Sequence, residues 1–180
     1  MRREKLLRTI ELTQGVTASY VDRTMTVTGP KGELKRQLGY PGIVIDINES
    51  VVVHAVQLTR KMKMHLGTIV AHIKNMIRGV TEGYVYKLKV CSGHFPMTVA
   101  VSGKKFEVKN YFGEKVPRVL TLKDGAKVSV SGNDITVEAI DKELAGQVAA
   151  DIEQLVRITD KDRRIYQDGI YITEKAGKEI

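Results

Sequence analysis

The sequence predicts an α+β fold in which a small antiparallel β-sheet domain, covered by one α-helix, occurs twice in tandem. Short stretches of alternating apolar and polar residues, typical of half-buried strands, precede one stretch with helical periodicity. The same order then recurs, with corresponding residues about 80 positions apart. Because an isolated hairpin is only marginally stable, each copy needs its helix to bury the apolar face of its strands.

The first copy is expected to begin with two hairpins. Apolar residues alternate with polar ones over residues 16–28, on both sides of a polar turn at Asp22-Arg23. Residues 29–32, with the sequence Gly-Pro-Lys-Gly, predict a further turn, because proline lacks an amide donor and glycine permits positive φ. Residues 43–53 alternate again and predict the second hairpin.

A helix is expected next. One face repeats with the period of an α-helix through five apolar residues: Leu66, Ile69, Val70, Ile73 and Ile77. Gly79 follows Arg78 and is expected to end the helix, since glycine is common just past a C-terminus and a cation is favourable in the last turn.

The second copy repeats this pattern. Strands are predicted within residues 97–108 and 128–137, and Asp141 is a suitable N-cap for the helix that follows. Residues 84–95 join the copies and form a predicted strand that can pair into the second copy. The expected segments are a basic arm at 1–8, a first repeat at 9–81, and a second repeat at 82–180 with a C-terminal extension, whose expected role follows from the motifs described below.

The charge is unevenly distributed. The chain has 29 Lys and Arg against 21 Asp and Glu, a net charge of +8 that attracts polyanions but does not determine the fold. Residues 1–80 hold 13 cations and 6 anions, a net of +7, whereas residues 81–180 hold 16 and 15, a net of +1. The net charge alone favours the first copy as the one that faces nucleic acid. Any cations of the second copy that bind nucleic acid must therefore act in local clusters.

The sequence lacks the motifs that would indicate several other classes of protein. Cys91 is the single cysteine, so no internal disulfide framework is possible. No apolar run approaches the roughly 20 residues of a membrane span, and no signal-peptide core follows the basic start, so we expect a cytoplasmic protein. His65 and His72 share a predicted helix, but no further ligand completes a metal site. We expect no enzyme activity, cofactor, metal or small-molecule substrate.

Three stretches of the second copy place cations near aromatic rings. Lys87 and Lys89 share the strand face opposite the apolar one, and residues 110–118 set two rings beside cations. Residues 159–175 surround an expected turn at Asp168-Gly169 with cations and tyrosines. Such groups can contact phosphates and stack on bases. The alternatives are a solvated strand face, and an exposed loop whose Phe112 lies in the core.

The motifs resemble the universal large-subunit ribosomal protein six family, especially its archaeal and eukaryotic branch. They cover nearly all of the chain in the right order, although Tyr166 stands where the family usually has Phe. The resemblance rests on these residues: 72–83, His94-Phe95-Pro96, 110–115, and the C-terminal signature Gln154, Arg157, Lys161, Arg164, 168–171 and Lys175.

This resemblance implies a two-copy structural protein of the large ribosomal subunit, without catalytic activity. It implies binding to large-subunit rRNA near the sarcin–ricin loop, beside neighbouring ribosomal proteins at the stalk base. The expected RNA contacts are Lys87, Lys89, His94, Asn110, Tyr111, Lys115, Arg118, Lys161, Arg163, Arg164, Tyr166, Tyr171 and Lys175. One alternative is a free-standing RNA-binding module associated with translation. A small enzyme using Asp160 and Asp162, or the histidines, is disfavoured, because the sequence lacks a motif for a catalytic pocket. These carboxylates are expected to orient the neighbouring cations or to be solvated.

Overall fold

The computed structural model describes residues 7–48, 50–57, 59–162 and 164–180. Contacts divide the chain into two compact units, one ending at Gly83 and the other beginning at Tyr84. Each unit combines antiparallel strands with one α-helix in its described residues, which confirms the predicted α+β class.

The first unit contains two three-stranded sheets and a helix. The sheet orders are β1-β6-β5 and β2-β3-β4. The elements are β1 (Leu7–Glu11), β2 (Thr17–Val21), β3 (Thr24–Gly29), β4 (Gly32–Gln37), β5 (Ile43–Ile47), β6 (Ser50–Ala55) and α1 (Arg60–Thr81). The predicted hairpins over 16–28 and 43–53 are confirmed by the pairing of β2 with β3 and of β5 with β6.

Strand β1 was not predicted. It includes Leu7 and Arg8, which the sequence assigned to the basic arm, and it pairs with β6 from Leu7 opposite His54 to Glu11 opposite Ser50. Only Ile10 of this strand is buried, so its sequence carries little alternation. Pairing with β6, rather than local pattern, therefore defines the strand.

Helix α1 extends further than Gly79, so the predicted end was wrong. Val80 is fully buried and packs against Gly29, where an added Cβ would come within 2.7 Å of its side chain. This burial favours two more helical residues. The helix ends before Gly83, whose φ of 75° is left-handed and whose amide donates to the Arg78 carbonyl at 3.2 Å.

The second unit contains a five-stranded sheet, a three-stranded sheet and a helix. The sheet orders are β11-β12-β7-β13-β14 and β10-β9-β8. The elements are β7 (Tyr84–Cys91), β8 (Thr98–Ser102), β9 (Lys105–Lys109), a 3-10 turn (Tyr111–Gly113), β10 (Arg118–Thr121), β11 (Ala126–Ser131), β12 (Asp134–Ala139), α2 (Lys142–Leu155), β13 (Gly169–Lys175) and β14 (Lys178–Glu179).

Strand β7 is the centre of the larger sheet and pairs with β12 and β13, which confirms the prediction of a strand here that pairs into the second copy. Tyr84, Tyr86, Leu88 and Val90 are buried alternately along it. The strand contacts helix α2, whose Ala145, Val148, Ala149 and Ile152 are also buried. Since side chains alternate across a strand, the lysines between the buried residues lie on the opposite face of the sheet.

The expected turn at Asp168-Gly169 is wrong. Gly169 begins β13, and the turn lies earlier, where the amides of Ile165 and Tyr166 donate to the Asp162 carbonyl at 3.1 and 2.9 Å. Asp168 is only 2% exposed and is hydrogen-bonded to a distant segment rather than to its own neighbours. A separate turn at residues 176–177, with φ of 51° and 82°, joins β13 to β14.

Candidate nucleic-acid interface

Three segments that are distant in sequence meet in the second unit: residues 93–96, 110–118 and 159–166. Their aromatic side chains contact one another, with centroid distances from 4.9 to 6.4 Å. We name these side chains the ring cluster: His94, Phe95, Phe112 and Tyr166. The cluster brings together three motifs that the sequence had identified separately.

Lys161 places a cation directly on the ring cluster. Its Nζ lies 5.3 Å from the centroid of Phe112 and 5.0 Å from that of Tyr166. An ammonium group within about 6 Å of a ring face is attracted by the ring quadrupole. Lys161 therefore links residues 159–166 to the 110–118 loop and presents positive charge at the same surface.

Asp168 fixes the 93–94 backbone to the start of β13. Its carboxylate accepts from the amides of Gly93 and His94 at 2.6 and 2.8 Å, and its second oxygen lies 2.6 Å from His94 Nδ1. Burial by itself raises the pKa of Asp168, but the hydrogen bonds from His94 and Gly93 outweigh it and lower the pKa below its ordinary value. An ionised carboxylate only accepts, so Nδ1 carries the proton.

Tyr111 points inward and is too buried to contact RNA directly, which corrects that expectation, whereas Arg118 is partly exposed and its RNA contact stays a prediction. Tyr111 is 2% exposed, and its hydroxyl donates to the Val156 carbonyl at 2.7 Å. The Arg118 guanidinium lies 4.2 Å from the Tyr111 centroid and donates to the Leu155 carbonyl at 2.8 Å. Both side chains satisfy carbonyls at the C-terminal end of α2, so they position the loop.

Glu114 completes this internal arrangement. Its carboxylate accepts from Arg118 Nε at 2.9 Å and Nη2 at 2.6 Å, a two-bond pairing that fixes the guanidinium plane. The hydrogen bond from Arg118 lowers the pKa of Glu114, and the same bond raises the pKa of Arg118. Burial raises the pKa of Tyr111, which keeps its hydroxyl protonated as a donor.

The face of the larger sheet away from α2 carries a second set of predicted contacts. Lys89 lies opposite Tyr171 on the neighbouring strand, and both side chains are exposed. Lys87 pairs with Glu174 at 2.6 Å, and this hydrogen bond raises the pKa of Lys87. Lys175 is also exposed, but a bulge in β13 places it opposite Tyr86, so it lies on the other face of the sheet. We name Lys87, Lys89 and Tyr171 the strand face.

The other predicted contacts differ in their roles. Asn110 has a left-handed φ of 61°, and its side chain donates to the Pro96 carbonyl at 3.0 Å, so it ties two of the three segments together. Lys115 is exposed. Arg164 is exposed and pairs with Asp162 at 2.7 Å, which supports the interpretation that this carboxylate orients a cation. Arg163 lies outside the described residues.

Phe95, Phe112 and Asp168 belong to this surface but were not among the predicted contacts. Phe95 and Phe112 stood within identified motifs, and aromatic residues in loops beside cations could have indicated them. Phe112 is half-buried between the core and the ring cluster, so the alternative that placed it in the core is partly right. No local pattern indicates that Asp168 binds residues 74 and 75 positions away.

The described part of the chain holds no cluster of three His, Cys, Asp or Glu residues suited to a metal ion. His65, one of the histidines considered above, stacks on Tyr40 with a centroid distance of 3.7 Å. Within the described ranges, no helix has both the length and the apolar character needed to cross a membrane.

These observations define a class: a duplicated α+β protein whose second unit combines stacked rings with cations, the chemistry of nucleic-acid-binding surfaces. The family model described as Ribosomal protein L6 matches the chain twice, at residues 12–83 and 95–169. The chain belongs to this family, and the double match confirms the predicted tandem duplication.

Relatives in several archaea cover almost the whole chain. Large ribosomal subunit protein uL6 of Methanosarcina mazei is 45% identical over 174 residues, which are 96% of this chain and 99% of the relative. The proteins of the same name from Methanothrix thermoacetophila and Natronomonas pharaonis are 42% and 43% identical, over 96% and 92% of this chain and 98% and 94% of their own lengths. The archaeal sources agree with the predicted branch of the family.

Proposed function

We propose that the chain is a structural component of the large ribosomal subunit in the cytoplasm. In this role it binds large-subunit rRNA through its second unit and supports translation without catalysing a reaction. Family membership across both units supports the ribosomal role. The finer placement, near the sarcin–ricin loop and beside proteins of the stalk base, is what the family resemblance implies.

The observation that carries the RNA-binding proposal is the convergence of three separate segments in the ring cluster. Lys161 lies over two of its rings, and the exposed side chains of Lys115 and Arg164 belong to the same segments. Cations supply phosphate contacts and rings supply stacking surfaces. Because the readable groove of paired RNA exposes little sequence, such a surface is expected to recognise shape and backbone.

The strand face extends the proposed contact area. Lys89 is exposed there, and Tyr171 supplies a ring directly opposite it on β13. Lys175 is exposed on the other face of this sheet and stays a predicted contact. Lys87 is exposed in its ion pair with Glu174, and solvent screens such surface pairs strongly. A phosphate group can therefore compete for Lys87 at little cost.

Sedimentation of a cell extract tests the ribosomal role. We expect nearly all of the protein in the fractions that contain large subunits, including after a wash at high salt. A substantial free pool that binds RNA would instead favour the free-standing, translation-associated module.

Crosslinking within intact subunits tests the placement. We expect adducts between residues 159–175 and rRNA close to the sarcin–ricin loop, and protein crosslinks to neighbours at the stalk base. Adducts confined to a distant part of the rRNA would contradict the placement while leaving the ribosomal role intact.

A further inference from the structure

A groove of about 480 Å³ lies in the first unit between β1 and the C-terminal half of α1. This volume is within the range of binding clefts, roughly 300–1,000 Å³. Strand β1 lies at one end of the sheet β1-β6-β5, so its outer edge borders the groove. The lining residues used below are Thr9, Ile10, Glu11, Lys74, Ile77 and Arg78.

The backbone of β6 shows which residues of β1 face the groove. In an antiparallel pair, the N–H and C=O of one residue point to the same side, and the side alternates with each residue. The Val56 amide donates to the Gly42 carbonyl at 2.9 Å, and the Asn48 amide donates to the Ser50 carbonyl at 3.2 Å. Both bonds continue the pairing of β5 with β6, so the even-numbered residues of β6 face β5. Its odd-numbered residues therefore face β1.

Two residues of β1 present their backbone groups to the groove. Arg8 and Ile10 lie opposite odd-numbered residues of β6, so their N–H and C=O are directed at that strand. Thr9 and Glu11 have the opposite parity, and their N–H and C=O therefore point away from β6. Both residues are exposed, and both line the groove. This edge offers two donors and two acceptors at the spacing of a β ladder.

The side chains of the groove supply an apolar contact and a cation. Ile10 and Ile77 are buried, and they form the apolar part of its lining. Arg78 is paired with Glu82, whose carboxylate lies 2.8 Å from the Arg78 Nε. Lys74 precedes Arg78 by one helical turn and is exposed. A bound segment can therefore place an apolar side chain on the two isoleucines and a carboxylate near Lys74.

We propose that this groove binds an extended, acidic segment of a neighbouring protein in the large subunit, which adds to the sheet as a strand beside β1. This inference rests on the proposed ribosomal role. Main-chain hydrogen bonds to Thr9 and Glu11 hold the segment, and Lys74 selects its charge. The net charge of +7 over the first 80 residues also favours an acidic partner.

The arrangement of the backbone groups favours a protein over RNA as the occupant. Donors and acceptors are arranged along the β1 edge as on the edge of any second strand, so an extended peptide can satisfy both kinds of group. Phosphate oxygens only accept hydrogen bonds, so they would leave the Thr9 and Glu11 carbonyls without donors.

Amide hydrogen exchange in the free protein and in assembled large subunits tests the proposal. We expect the Thr9 and Glu11 amides to exchange about tenfold more slowly, or slower still, in the subunit. The Gln37 amide is a matched control on the edge strand β4. The Leu38 amide donates to the Arg23 carbonyl at 2.8 Å, so Gln37 has the opposite parity and its amide points away from β3. Its exchange should not change.

Two variants test the recognition in competition with the wild type for incorporation into large subunits. Thr9→Pro removes an outward N–H, which an edge strand tolerates, and should reduce incorporation about twofold to tenfold, as expected for one lost hydrogen bond. Gln37→Pro should not reduce it. Lys74→Glu should reduce incorporation by a similar factor through repulsion of the acidic segment. Lys35→Glu makes the same change of charge elsewhere in the first unit and should have little effect.

Slow exchange at Arg8 and Ile10 in Thr9→Pro would show that β1 still pairs with β6, and Lys74→Glu leaves β1 itself unaltered. A photoreactive benzoylphenylalanine in place of Thr9 identifies the occupant in assembled subunits. We expect adducts with an acidic segment of another ribosomal protein. Adducts with rRNA alone, or with a second copy of this chain, would overturn the proposal.

The outcomes separate this inference from the proposed function. If the protein sediments with large subunits but its Thr9 and Glu11 amides exchange as fast as in the free protein, the added strand is wrong and the ribosomal role stands. If the protein is absent from large subunits, both are wrong.

Discussion

At the scale of single residues, Asp168 connects two parts of the proposed surface. Its sequence neighbour Gly169 indicated a local turn, yet the carboxylate binds the backbone of residues 93 and 94. The sequence predicted a turn at Asp168 and did not indicate the distant partners of its carboxylate. Local chemistry determines what a side chain can bind, whereas the pairing of β13 with β7 determines what lies within its reach.

The lowered pKa of Asp168 predicts acid sensitivity of the second unit. Because the folded state lowers this pKa, the ionised group stabilises the fold fully above its ordinary pKa of about 3.9. That contribution disappears as pH falls from there through the lower native value. We expect chemical denaturation to show a steeper loss of stability below about pH 4 in the wild type than in Asp168→Asn.

Asp168→Asn should also reduce the free energy of unfolding at pH 6. It replaces a charged acceptor by an amide whose NH₂ group faces donors, and hydrogen bonds to charged groups contribute about 1.5–3 kcal/mol. Parallel stability–pH profiles for the two proteins would show that Asp168 is not the titrating group responsible.

Tyr111 provides a second prediction at this scale, because its hydroxyl is buried against the Val156 carbonyl. Tyr111→Phe leaves that buried acceptor without its donor and should lower the free energy of unfolding by about 1–3 kcal/mol. Tyr166→Phe is the matched control, since it removes the same atom from the ring cluster and introduces the family's usual residue. Equal losses in thermal or chemical denaturation would contradict the inward role of Tyr111.

At the scale of elements, the sequence predicted long, strongly patterned segments best. Strand β7 has four buried residues in strict alternation, and the helices repeat their apolar faces over several turns. Strand β14 has only two residues, both exposed, and β10 has no fully buried side chain, so neither carries a strong local signal. Pairing with neighbouring strands determines where β10 and β14 form, and the alternation of residues within a short stretch does not reveal which strands will pair.

Two glycines near α1 test where the helix ends. Gly83 has a φ of 75°, so Gly83→Ala should cost about 1–2 kcal/mol through left-handed strain. Gly67 lies exposed within the helix with open space around an added Cβ, so Gly67→Ala should stabilise the first unit by about 0.8–1 kcal/mol. Denaturation of both variants should give opposite signs. A stabilising Gly83→Ala would show that the helix continues through that position.

At the scale of the whole molecule, net charge and local motifs point to different units. The first 80 residues carry a net of +7, yet the convergence of rings and cations lies in the second unit. The sequence identified most of the segments that meet there. It could not show that Tyr111 and Arg118 donate to carbonyls at the end of α2, because these carbonyls lie about 40 positions away.

A comparison of two double variants decides between net charge and local geometry. Lys161→Ala with Arg164→Ala removes two cations from the second unit, and Lys35→Ala with Lys63→Ala removes two from the first. If phosphates contact the first pair, the slope of log affinity against log salt should become shallower by about two units for an rRNA fragment. The second pair should change the slope much less. Loss of Arg164 also leaves Asp162 without its ion-pair partner, so repulsion adds to the loss of affinity. Equal slopes for both variants would mean that overall charge, and not the arrangement in the second unit, determines binding.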